Sequence, residues 1–103
     1  MYARITTGQV PAERIGEVAG AIPDDVRQSL AREPGFKGSL TLVDRQSGKV
    51  ITIGLWESEA AVQASAAGHQ ARLEAARSTL GANAAAEPII EVYEVVDEIR
   101  PQG

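Results

Sequence analysis

Three observations on this 103-residue sequence predict an α+β fold built on a four-stranded antiparallel sheet. β-branched runs and helical spacings follow one another in the order β-α-β-β-α-β, the ferredoxin-like arrangement with both helices on one sheet face. Two of the strands flank Arg45-Gln46-Ser47-Gly48, a short polar loop with glycine where a hairpin turn needs it. The strand after that loop carries no charge on either face, so both of its sides are expected to be covered.

Each element has its own signature. Residues 2–10 read as a strand because Ile5, Thr6, Thr7 and Val10 are β-branched, with Gly8 as a candidate bulge. Pro11 then precedes a helical pattern in which Ile15, Val18, Ala19, Ile22, Val26 and Leu30 share one face. Pro23 interrupts that pattern and Asp24-Asp25 suit a restarted first turn, so a two-piece helix is expected over about 12–33, ended by Pro34-Gly35. Ser39–Asp44 and Val50–Trp56 form the hairpin strands. Ile51, Ile53 and Leu55 lie on one face of the second strand, and Val50, Thr52, Gly54 and Trp56 on the other. Ser58 is an N-cap with Glu59 in the first turn, and Val62, Ala66, His69, Leu73, Ala76 and Leu80 form a stripe that Gly68 could break. Gly81 suits a helix terminator, Ala82–Ala86 a connection, and Ile89–Val96 a last strand before a charged tail over 97–103. The whole chain, 1–103, reads as a single domain.

Composition narrows the chemistry. Although 44% of residues are hydrophobic, 17 are alanine, which leaves few large side chains for a core. Such a small chain buries only roughly 60–65% of its unfolded surface. Help from a second copy is therefore expected, and two-fold homodimers are the commonest solution. Two sheets face to face would give a dimeric α+β barrel with the helices outside. The absence of cysteine excludes disulfides, thiolate metal sites and a cysteine nucleophile, and the single His69 excludes multi-histidine metal sites. No metal or other cofactor is expected. Net charge is −4, a poor match to nucleic-acid phosphates. No apolar run is long enough to span a bilayer, and the first residues lack a secretory h-region. A cytoplasmic location is expected.

Pro34-Gly35-Phe36-Lys37-Gly38, the hairpin, and Leu55-Trp56-Glu57-Ser58-Glu59 leading into a helix together resemble the antibiotic-biosynthesis monooxygenase superfamily of dimeric α+β barrels. The resemblance covers roughly residues 1–97 in order and spacing. It implies cofactor-free oxygenation of a small aromatic or quinol-like polyketide. In that chemistry a phenol is deprotonated, the anion passes an electron to O₂, and the radicals recombine. The alternatives are a barrel that binds a small molecule without turnover and a purely structural or stress-related dimer. Trp56 matches the family's tryptophan at the end of the third strand. Thr52 and Val62 stand where the anthrone oxygenases place Asn and Tyr. The haem-degrading pattern is not matched either: residues 1–10 lack Asn, and Ser65 and Ala75 stand near its Trp and His positions.

The candidate catalytic residues are His69, whose ordinary pKa suits a base at neutral pH, and Trp56, which could wall an aromatic slot. Each could equally be packing. Thr52 could donate a hydrogen bond from the face it shares with Trp56, or be a satisfied sheet threonine. Phe36 is a loop anchor near the substrate. Arg72 and Arg77 could hold an oxyanion or be solvated helix charges. Tyr93, on one face of the last strand with Glu91, is either a cavity hydroxyl or an interface residue.

Overall fold

The computed structural model describes residues 1–80 and 87–102. Four strands, β1 (Tyr2–Gln9), β2 (Phe36–Asp44), β3 (Lys49–Trp56) and β4 (Ile89–Glu94), form one antiparallel sheet in the order β2-β3-β1-β4. The helical layer consists of a 3-10 segment (Ala12–Gly20), α1 (Asp24–Ala31), α2 (Glu59–Ala64) and α3 (Ala66–Leu80). The fold is the ferredoxin-like α+β arrangement that the sequence predicts.

The expected two-piece first helix is present, but its first piece is the tighter 3-10 form and Pro23 caps the second. Glycine shapes the hairpin turn as expected but makes no bulge in β1. β1 keeps regular register through Gly8, opposite Val50, while the irregularity falls between Phe36 and Gly38 on β2. The hairpin turns at Gly48 with φ +81°, and its carbonyl accepts from Val10 N–H at 2.9 Å, pinning the turn to the end of β1. Ser58 caps α2 by accepting from Ala61 N–H at 3.1 Å. The second helical region breaks at Ser65, three residues before Gly68. That break shifts the phase, so Ser65 is buried and Ala66 exposed. The connection at 81–86 lies outside the described residues.

Register defines two sheet faces. Arg4, Thr6, Thr52, Gly54 and Trp56 share the face under the helices, with Arg4 opposite Gly54 and Thr6 opposite Thr52. Ile5, Leu40, Leu42, Ile53 and Tyr93 share the other. The buried cluster lies on the helical side, where Val10, Ile15 and Ala21 pack against Val18, Val50 and Ala76. The far face stays open in one chain: Leu40 is 60% exposed and Ile89 61%.

Candidate functional site

The helical layer does not close on the sheet. Between them lies a cavity of about 690 Å³, within the range of small-molecule sites. β1, β2 and β3 form its floor; α3, α1 and the 3-10 segment form its roof and rim.

Its inner end is built by four side chains from separate elements. Trp56, at the end of β3, is only 1% exposed, and Phe36 packs edge-on against it with ring centroids 5.3 Å apart. Arg4, on β1, lies with its guanidinium carbon 5.5 Å from the indole centroid. The same guanidinium donates to the Val62 carbonyl and Ser65 Oγ, each at 2.6 Å. A strand arginine thus satisfies the carbonyl and hydroxyl at the α2–α3 break. His69, one turn further along α3, meets Thr6 Oγ1 through Nε2 at 2.9 Å.

Two polar features belong to this end of the cavity. The Trp56 Nε1–H is buried without a hydrogen-bond partner, an expensive condition for a donor unless something else satisfies it. It lies over Gly54, where a Cβ would come within 3.1 Å, so glycine makes room for the indole. Half-burial of His69, with Arg4 and then Arg72 nearby, pushes its pKa down to about 4, so the imidazole is neutral at pH 7. Arg72 is itself held by Glu33, at 3.4 Å across the α1 end. Glu33 presents its second oxygen, Oε2, buried and unpaired.

The structure therefore brings His69, Trp56, Thr52, Phe36, Arg72 and Arg77 to one cavity. It does not bring Tyr93 there. That residue stands on the far face, 51% exposed, donating its hydroxyl to Glu91 at 2.6 Å. Sequence reasoning missed Arg4, Thr6 and Ser65. A charged residue on the same face as Thr6, inside an otherwise uncharged strand, was the available signal for Arg4. Among the described residues no cluster of three or more His, Asp and Glu could hold a metal ion. No helix among them is long and apolar enough to cross a membrane.

Fold and cavity define a class: ferredoxin-like α+β proteins whose sheet and helices enclose a chamber of small-molecule size. The chain belongs to the antibiotic biosynthesis monooxygenase family, whose model matches residues 1–82. Among solved structures it is similar to the Streptomyces coelicolor monooxygenase ActVA-Orf6, in complex with nanaomycin D. That match has a TM-score of 0.70 at 21% identity, over 98% of this chain and 92% of that one. The haem-degrader MhuD of Mycobacterium tuberculosis gives 0.69 at 25% identity, over 97% and 100%. SnoaB, a cofactor-independent oxygenase of Streptomyces nogalater, gives 0.65 at 14% identity, over 97% of each. An uncharacterised Mycobacterium tuberculosis protein is 40% identical over 65 residues, 63% of this chain. The match spans only 29% of that relative's length.

Proposed function

We propose that this chain is a cofactor-independent monooxygenase of a small aromatic or quinol-type substrate, working as a homodimer. One observation carries the reading: a neutral histidine and the chain's single tryptophan line the same mostly apolar cavity. In this scheme the substrate's ring lies at the end of the cavity that Trp56 walls, and a small shift of the indole on binding lets its unpaired Nε1–H donate to a substrate oxygen. His69 accepts the phenolic proton. The resulting anion gives an electron to O₂, and the radical pair recombines at the substrate carbon. For a ring methylene, one oxygen atom of O₂ becomes the new carbonyl and the other leaves as water. The substrate loses four electrons and O₂ gains them.

An imidazole with a pKa of about 4 is a weak base for a phenol near 10. Arg4 and Arg72 resolve this in part. The positive field that disfavours imidazolium also stabilises the phenolate, and a bound anion raises the pKa of His69 in turn. Thr52 and Phe36 bound the slot, and Arg72 and Arg77 face the oxyanion.

Oxygen uptake with a panel of anthrones and quinols tests the proposal. His69→Ala should lower turnover about 10²–10⁴-fold with little loss of melting temperature, the usual share of general base catalysis. A stability loss with unchanged activity per folded molecule would remove the catalytic role. Binding without turnover is the second reading. It is favoured by Val62, buried and apolar, and by Thr52, which offers only a hydroxyl. No uptake with any member of the panel would select it. The dimer is supported by the apolar far face of the sheet, which no part of the chain covers among the described residues.

A further inference from the structure

Five arginines line the cavity, namely Arg4, Arg27, Arg45, Arg72 and Arg77, and no aspartate, glutamate or lysine does among the described residues. The chain has 14 acidic and 10 basic residues, so half of its cations converge on one space in an acidic protein. They have different tasks. Arg4 is committed to Val62 and Ser65, and Arg72 to Glu33. Arg27 and Arg45 stand at the opposite end, on the rim. Arg27 donates to the main-chain carbonyls of Ala19 and Ile22 and meets no carboxylate among the described residues. Arg45 makes no ion pair there either. Its Nη1 reaches to 4.0 Å from where a Cβ at Gly16 would sit. Gly16 and Ala19 are one 3-10 turn apart, about 6 Å along the segment axis. Two guanidinium groups without acid partners therefore lie against adjoining turns of one segment at the cavity mouth.

We propose that the ligand is an aromatic acid, its carboxylate held at the mouth by Arg45 and Arg27 and its phenolic edge at His69 and Trp56. This rests on the reading of the cavity as the substrate site, and it fixes the substrate's class and direction of entry. The Arg45 guanidinium fork matches a carboxylate in two parallel hydrogen bonds, which an amide or ester cannot reproduce. Arg27, whose Nε and Nη2 donate to Ile22 and Ala19, adds its charge and its remaining N–H groups. The apolar middle of the cavity takes the ring system.

The single tryptophan makes binding directly readable, since Trp56 fluorescence reports occupancy of the inner end. The probes are anthraquinone-2-carboxylate and its uncharged carboxamide, neither of which can be oxygenated at the ring carbonyls. At low ionic strength the acid should bind about five- to tenfold more tightly, because rim contacts stay partly screened. Arg45→Gln should remove most of that preference by weakening the acid alone, and Arg45→Lys should keep part of it. The Arg27→Gln/Arg45→Gln double variant should abolish it; Arg45→Gln decides alone if the double variant does not fold by circular dichroism. Equal affinity for acid and amide, no binding of either, or a preference that survives Arg45→Gln in full overturns the proposal. Oxygen uptake separates the two levels. Turnover of uncharged anthrone without acid preference leaves the oxygenase standing and removes the aromatic acid. Acid preference without uptake from any anthrone does the reverse.

Discussion

Protonating His69 would set a third positive charge beside Arg4 and Arg72, and the cost of doing so can be followed through pH. In the folded chain His69 holds its proton only below about 4; in the unfolded chain it does so below about 6.5. Between those values the unfolded state binds the extra proton, so native stability falls as pH drops from 6.5 to 4. Below 4 both states are protonated and this loss levels off. A fully dry ring would lose about 3 kcal/mol over that interval. His69 is only half-buried, so screening reduces the expectation to about 1–2 kcal/mol. In a domain of this size that is a fall of roughly 5–12 °C in melting temperature. Carboxylates titrate over the same range, so the measurement is the difference between wild type and His69→Gln at each pH. That difference should open below pH 6.5 and saturate near 4. As the chain's only histidine, His69 also gives a single imidazole signal by NMR, with an expected midpoint near 4. A native midpoint at 6–7, or two melting curves that fall in parallel, would refute the account of this site.

Arg4→Met should destabilise by about 2–4 kcal/mol, since the Val62 carbonyl and Ser65 lose a charged donor while one buried charge is relieved. Urea unfolding followed by Trp56 fluorescence reads this, and the same variant should raise the His69 midpoint. A Cβ at Gly48 would come within 2.1 Å of the Val10 carbonyl in a backbone at φ +81°. Gly48→Ala should therefore cost about 3 kcal/mol or more, lowering the melting temperature by over 10 °C. Wild type should scatter light as about twice 10.9 kDa at micromolar concentration, from an interface of about 2,000 Å² or more in total. Ile53→Asp, on the open sheet face, should give monomer or unfolded chain, because the carboxylate would be left dry; a dimer of wild-type stability in that variant would place the contact elsewhere.

The succession of strands and helical regions was legible because alternation and helical spacing report burial directly, and Val50–Trp56 announced an unusual sheet through its lack of charge. The cavity members His69, Trp56 and Thr52 were legible for the same reason, each sitting on a face that periodicity defines, whereas Phe36, expected as a loop anchor, opens β2. Arg4 was not. Its partners are a main-chain carbonyl and a hydroxyl at a helix break, and that break is invisible to periodicity until Ser65 replaces Ala66 on the inner face. Tyr93 shows the limit of alternation by itself. The pattern pairs it with Glu91, but only the register with β1 decides which side of the sheet both occupy. Glycine misled similarly, since a bulge at Gly38 and none at Gly8 depends on what β3 presents opposite each.

Three hydrogen bonds that fasten the cavity floor to its roof join residues far apart in the chain. Arg4 reaches Val62 across 58 positions and Ser65 across 61, and Thr6 reaches His69 across 63. Closing loops of that length costs conformational entropy before any contact repays it, so such pairings form late compared with the local β2–β3 hairpin. β1 leaves the ribosome before the other three strands, yet it finds β3 only after the hairpin exists and β4 only after α3 has followed. A nascent chain that stops short of α3 therefore holds a hairpin and a helix but no chamber. The chamber is complete only when β1, the first of the four strands, is sealed beneath α3.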